Sequence, residues 1–432
     1  MWHLARVRTR VVLVSALLTA LLAACGSSGD DSSSATSAQT PTSVAIATST
    51  TEAELTAPTT QGTTTSVEVS DPAVAYSEPG PFPVGVAELT DGPVPITVFY
   101  PGLDGAEDGK QEATYDLRAW LPPAEAAKVG QATTVPMHAY VGLTPADPDG
   151  GPYPLVLFSH GLAGYRLQST FLTTHLASWG FVVAAVEHPY RNLTAAFGDL
   201  GSLVAGFGST DAPDVAQLVA AIDQVQAAAS QSTGPLAGLT VETTDVGAVG
   251  HSAGGFAVYG AAAVDPRIVT YVALASPTGG TFSDTTPTTA PAVPPPDKPS
   301  LLIAGSADVI APLPRVEAAY QALPTPKALA VIEGVTHLGF MDICEATAPG
   351  EPNVLQVAKS AGVAVPDLVL RLFADGCDPK YTSPSSAWAA IDALTTAHLR
   401  GLLGLDDPPV VLTQADLDAA FPDLHLTLSR SP

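Results

Sequence analysis

Basic residues are scarce in this 432-residue sequence: 17 Lys and Arg stand against 42 Asp and Glu, a formal net charge of −25. That field repels a phosphate backbone, so nucleic acid is not an expected partner. The acidity is read as a solubility property and carries no substrate. Cysteine is nearly missing, at three residues. No group of His, Cys, Asp and Glu has metal-ligand spacing, and no glycine-rich phosphate loop precedes a helix. No metal and no cofactor is therefore called for. The apolar run at residues 11–24 is too short to span a bilayer comfortably, since a span needs about 20 residues. Neither an internal repeat nor a second folded domain is evident.

What the amino terminus does contain is a targeting pattern. Arg6, Arg8 and Arg10 precede the apolar run, which ends in Leu22-Ala23-Ala24-Cys25-Gly26-Ser27. This resembles a bacterial lipoprotein signal, which implies cleavage after residue 24, acylation of the Cys25 thiol and an outward-facing cell-membrane lipoprotein. An ordinary secretory signal with an incidental cysteine is the alternative; both imply export. Residues 25–70 are rich in Ser, Thr, Ala and Pro. They hold too few large apolar side chains to offset the entropy of ordering, and they read as a flexible tether. A single large domain is expected over residues 71–432. Cys344 and Cys377 remain as a pair in an oxidising compartment, where a disulfide would contribute about 3 kcal/mol on the chain-entropy estimate. Two separate buried thiols are the other possibility.

From Val84 the chain alternates strand and helix signals. "PVGVAELTDG" and "PITVFYPGL" read as two strands of a hairpin or meander. "PLVLFSH" and "FVVAAVEH" are continuous apolar runs, as expected of strands buried on both faces of a parallel sheet. Between them lies a helix with Ser169 as its expected cap and Gly180 as its stop. Val215, Leu218, Val219, Ile222 and Val225 stand at helical spacing behind Pro213. "DVGAVGHS", "IVTYVALA", "SLLIAGSAD" and "ALAVIEG" supply further strands, with helices to about Val264, around 314–323 and at about 385–404. The inserts at 277–299 and 341–383 have no periodicity. Strands alternating with helices predict an α/β fold with a mostly parallel central sheet and helices on both faces.

Within that order, "VGHSAGG" sets Ser252 between a strand and a helix, with Gly250 and Gly254 flanking it at two residues. A serine there occupies a sharp turn that lifts its hydroxyl above the sheet edge. Glycine is needed because the strand and the following helix approach closely. A serine hydroxyl requires a base, so an acid and then a histidine should follow in chain order. Asp308 ends one strand and Val335-Thr336-His337 ends the next, which makes His337 the expected base and Asp308 its orienting acid; Glu333 and Asp342 lie near by as alternatives. Backbone amides of Ala253 and of Leu162, in "FSHGLAGYR", are the expected oxyanion donors. His160 is read as a brace of that loop, His251 as the variable position of the turn, and His188 as a strand-end residue that could line a pocket.

The stretch "YPLVLFSHGLAGYRLQSTFLTTHLASWGFVVAAVEHPYRN" resembles the secreted, plasma-type platelet-activating factor acetylhydrolases, and the likeness runs over most of residues 82–340. It implies an α/β-hydrolase fold, with Leu162 as an oxyanion donor, Ser252 as nucleophile and His337 as base. The acid departs from the pattern: that family's aspartate would fall at Ala275 or Ser276. "LLIAGSADVIAP" is instead similar to the bacterial, cutinase-like polyester hydrolases, which puts Asp308 in the role; those enzymes often carry a disulfide near the carboxyl terminus, in loose agreement with Cys344 and Cys377. The expected function is a lipid-anchored serine ester hydrolase that forms an acyl-enzyme on lipid or other small hydrophobic esters, with the inserts covering the pocket. A polyester hydrolase is the alternative enzyme, and a binding lipoprotein on an inactive hydrolase scaffold is the alternative from another class.

Overall fold

The computed structural model describes residues 71–130, 134–146, 150–198, 209–279, 293–347, 352–373 and 376–432. The signal, Cys25, the tether and residues 280–292 of the first insert lie outside the described residues. Eleven strands form one sheet among the described residues: β1 (Val84–Leu89), β2 (Ile96–Pro101), β3 (Glu112–Asp116), β4 (Thr134–Val141), β5 (Tyr153–Ser159), β6 (Val182–Val186), β7 (Val241–His251), β8 (Ile268–Leu274), β9 (Ser300–Gly305), β10 (Lys327–Ile332) and β11 (Leu426–Ser431). Their spatial order is β11-β10-β9-β8-β7-β5-β6-β2-β1-β4-β3. The six from β10 to β6 run parallel, while β2 joins β6 and β11 joins β10 antiparallel. This is a mostly parallel α/β-hydrolase sheet.

The central strands carry apolar residues on both faces because helices cover both. β5, β6 and β9 are buried throughout. Among the described residues the helices longer than four residues are α1 (Thr170–Ser178), α2 (Pro213–Ala229), α3 (Ala253–Val264), α4 (Leu313–Ala322), α5 (Val354–Ser360), α6 (Asp367–Leu372), α7 (Pro384–Leu402) and α8 (Gln414–Ala420). One core packs α1 and α7 against the sheet through residues such as Leu172, Leu176, Ile391 and Leu394. The other packs α2, α3 and α4 through Leu218, Ile222, Val258 and Val316. Parallel strands end together, and the loops leaving their carboxyl ends converge on one edge, where sites of this architecture lie.

Three local expectations are corrected. Ser169 precedes α1 but makes no side-chain cap; its hydroxyl donates to the carbonyl of Phe340. The cap comes from Asp342, whose carboxylate accepts from the amides of Thr170 at 2.6 Å and Phe171 at 3.3 Å. A carboxylate at a helix N-terminus also meets the positive end of its dipole. Burial nevertheless pushes Asp342 up to about 7, against the pull of those donors. Second, the insert at 341–383 is not irregular, since it holds α5 and α6. Third, β3, β4, α8 and β11 were not anticipated. Cys344 and Cys377 form a disulfide, with their Cα atoms 5.3 Å apart.

Candidate active site

Ser252 stands at the junction of β7 and α3 with φ 54° and ψ −117°. A left-handed φ on a residue with a β-carbon stores about 1–3 kcal/mol of backbone strain, held only because the surroundings fix it. The flanking glycines show what fixes it. A β-carbon at Gly250 would fall on the carbonyl of Gly254, and one at Gly254 would fall on the carbonyl of Ser159 at the end of β5. Strand, turn and helix are packed too closely for any side chain there.

The Ser252 hydroxyl lies 2.9 Å from Nε2 of His337, and Nδ1 of His337 lies 2.8 Å from Oδ2 of Asp308. A carboxylate can only accept, so Nδ1 carries the proton and Nε2 is left to accept from the serine. Asp308 sits in the turn after β9, where its Oδ1 accepts from the amides of Ile310 at 2.8 Å and Ala311 at 2.7 Å. All three side chains are buried. The other carboxylates near His337 are engaged elsewhere: Glu333 is exposed, and Asp342 caps α1. Ala275, at the acid position of the acetylhydrolase pattern, does line the cavity beside Ser252 but has no carboxylate. Chemically, this arrangement can deprotonate a serine as it attacks a carbonyl and return the proton to a leaving group.

The expected oxyanion donors lie beside the serine. Ala253 opens α3, and Leu162 packs against it in a small apolar cluster. Gly161 comes so close that a β-carbon there would lie 3.4 Å from Cβ of Ser252. The amides on either side of Leu162 are committed: Gly161 donates to Gln168 Oε1 at 3.1 Å, Ala163 to the carbonyl of Arg191 at 2.9 Å. Among the described residues the Leu162 amide has no acceptor, which suits a donor waiting for a developing oxyanion.

Two residues that the sequence did not signal hold this loop. Arg191, fully buried, donates to the carbonyl of His160 and to Ser159 Oγ at 2.9 Å, and pairs with Asp214 at 3.1 Å. Gln168 links three segments through one amide. Its Oε1 accepts from the Gly161 amide, and its Nε2 donates to His251 Nδ1 at 3.0 Å. His251 Nε2 in turn donates to the carbonyl of His337 at 3.1 Å. Burial, with the neighbouring His337 charge adding to it, holds the His251 pKa well below the usual histidine range, so it stays a neutral relay. His160 does brace the loop, its Nδ1 donating to the Gly161 carbonyl at 2.8 Å. His188 is buried, its ring bonded to Ser159 and Gln217.

The Gln168 relay leads to an expected outcome. Gln168→Leu keeps the volume but strands the Gly161 amide and His251 Nδ1 in a dry interior, at a cost of about 1–3 kcal/mol. Displacing the loop by a fraction of an ångström should lower kcat on p-nitrophenyl acetate by about 10- to 100-fold with little change in KM. Steady-state kinetics separate the two constants, and an unchanged kcat would remove Gln168 from any positioning role.

Residues 77–198 match the family described as "Platelet-activating factor acetylhydrolase, isoform II". A platelet-activating factor acetylhydrolase of Cavia porcellus is 28% identical over 137 residues, covering 27% of this chain and 29% of the relative. A putative phospholipase A2 of Schizosaccharomyces pombe is 33% identical over 109 residues, covering 22% and 24% respectively. The acetylhydrolase of Bos taurus is 54% identical over 39 residues, 9% of each chain. The matches thus span less than a third of these relatives' lengths. Together with the sheet order, they mark the chain as an α/β-hydrolase that is similar to the platelet-activating factor acetylhydrolases over this segment.

Proposed function

We propose that the chain is an exported serine ester hydrolase, anchored to the membrane through a lipid on Cys25, that acts on lipid or small hydrophobic esters by an acyl-enzyme. The relay from Asp308 through His337 to Ser252, with the serine held on a strained turn, is the observation that carries this reading. Ser252 Oγ attacks the ester carbonyl while its proton passes to His337 Nε2. The oxyanion accepts hydrogen bonds from the backbone amides of Leu162 and Ala253. His337 then protonates the departing alkoxide, leaving an ester on Ser252. Water, deprotonated by the same imidazole, hydrolyses that ester and restores the serine.

The relatives' names, acetylhydrolase and phospholipase, support an ester bond in a lipid as the target. The cavity beside Ser252 is lined by Phe256, Ala275, Ile310 and Arg315 among others and measures only about 10 Å³. So tight a site favours small esters over a polymer, which needs an open groove. An intact Ser-His-Asp relay weighs against an inactive binding scaffold.

The test is covalent. The protein is treated with a fluorophosphonate, digested, and the modified peptide is identified by mass spectrometry, in parallel with turnover of p-nitrophenyl acetate. Modification at Ser252 with concurrent loss of turnover is expected. Absence of both labelling and turnover would overturn the reading, as would labelling confined to another serine.

A further inference from the structure

Beside the triad, space for a substrate is almost missing: about 10 Å³ holds roughly one water molecule. The acyl part of an ester attacked by Ser252 must go somewhere else. Next to Leu162, with Ala163 in its wall, lies a second cavity of about 100 Å³, whose lining is almost wholly aliphatic or aromatic. Its walls and the packing around the proposed oxyanion donors are one structure. Val369 touches the cluster that contains Leu162 and Ala253, and Ala163, Leu193, Val365 and Phe373 pack on that cluster as well. All five of these residues also line the cavity.

The roof of the cavity is the insert. Val354, Val363, Val369 and Phe373 belong to the segment between Cys344 and Cys377, and the disulfide closes that segment at its base. The base is fixed beside the proposed general base. Thr336 Oγ1 donates to the carbonyl of Gly376 at 3.1 Å, and a β-carbon at Gly376 would strike Leu338; these two residues flank His337. At its middle the insert is held to the body by the Ala364 amide, which donates to Glu125 Oε2 at 2.8 Å.

We infer that this cavity, roofed by the disulfide-closed insert, is the acyl-chain pocket, and that it takes a single unbranched alkyl chain from the acid part of the ester. The inference rests on the ester-hydrolase reading and adds to it the place and the class of the bound chain. The chain enters past Leu162 and Val369, with the carbonyl left at Ser252. A narrow space lined almost wholly by apolar side chains, with Arg118 and Tyr165 its polar exceptions, admits methylene groups and disfavours a polar headgroup. The width of the pocket, set by α5 and by Phe373, then decides which chain lengths are processed.

The full chain and two variants with opposite expected effects test this. Ala358→Phe fills the cavity from α5, and Phe373→Ala enlarges it. The readout is the ratio of kcat/KM for p-nitrophenyl octanoate to that for p-nitrophenyl acetate. We expect the ratio to fall at least tenfold in Ala358→Phe and to rise severalfold in Phe373→Ala. Because a poorly folded variant loses both substrates together, opposite movements of a ratio cannot arise from unfolding. A second arm uses sodium octanoate and calorimetry without any turnover: binding to Ser252→Ala protein, weakened at least tenfold by adding Ala358→Phe, supports the pocket. Ratios within twofold of the unsubstituted chain in both variants, with acetate still hydrolysed, would overturn the pocket and leave the hydrolase standing. Octanoate binding that survives Ala358→Phe would overturn it too. Failure of the hydrolase reading looks different, since no ester is then turned over while the binding arm still reports on the cavity.

Discussion

Ser252→Ala and His337→Ala are each expected to lower kcat on short esters by about 10⁴- to 10⁶-fold, and the double variant to lose no more than the worse single one. The non-additivity is the informative part. The serine proton has its acceptor 2.9 Å away on His337, and that imidazole has no other task among its contacts than to take it and return it. Removing either partner disables the same event, so removing the second costs little more. Residual turnover would come from the Leu162 and Ala253 amides, which neither substitution touches. Stopped-flow measurement of p-nitrophenol release checks the rates, and two independent, additive losses would sink the relay. A companion measurement removes the objection that the variants are merely unstable. Ser252 carries a φ of 54°, which alanine inherits and glycine adopts without penalty. Ser252→Gly should therefore be as inactive as Ser252→Ala yet melt at a higher temperature, reflecting about 1–2 kcal/mol of released strain. Strain that stabilises nothing and disappears with activity is what a serine held for chemistry would show.

Much of this was legible beforehand, and the reasons are local. Gly250, Gly254 and Ser252 stand within five residues, and the backbone crowding that demands them is set by the turn itself. β5, β6 and β9 are runs of apolar residues because both faces of a parallel sheet are covered, so period gives way to continuity and the strands announce themselves. What escaped notice depends on contacts distant in sequence. Asp342 caps a helix that begins 172 residues earlier, and nothing near Asp342 hints at a helix N-terminus. Gln168 joins Gly161, His251 and, through it, His337; one buried amide among many glutamines has no sequence signal. β4 does alternate, with Val135, Met137 and Ala139 inward, but Pro136 within the run argues against a strand unless it lies near an edge, as this one does. β11 pairs antiparallel with β10 from the far carboxyl terminus and offers only Leu426 as a fully buried residue. The insert lacked periodicity because α5 and α6 are two turns or less, and α5 buries none of its residues fully.

Asp308→Asn is expected to lower kcat by about 10⁴-fold while leaving the fold and KM nearly unchanged. Its magnitude follows from how the carboxylate is held. Oδ1 accepts from two backbone amides, those of Ile310 and Ala311. In the asparagine variant those two donors need an acceptor, so they claim the amide oxygen and turn the NH₂ group toward His337. Nδ1 must then accept, which moves the imidazole proton to Nε2. Nε2 now points a proton at the Ser252 hydroxyl and cannot take one, although every atom stands where it did. A flipped tautomer thus costs far more than the loss of one hydrogen bond. The same substitution discriminates among the candidate acids. Glu333 is exposed and Asp342 is occupied at the start of α1, so Glu333→Gln should be silent in kcat, and Asp342→Asn should act on thermal stability well before it acts on rate. Ala275, where the acetylhydrolase pattern would place its acid, has no group that could take over from Asp308. Steady-state kinetics on p-nitrophenyl acetate, with circular dichroism as the check on folding, decide the matter. A loss of less than tenfold in Asp308→Asn would mean that another group orients His337, and a large loss in Glu333→Gln would identify it.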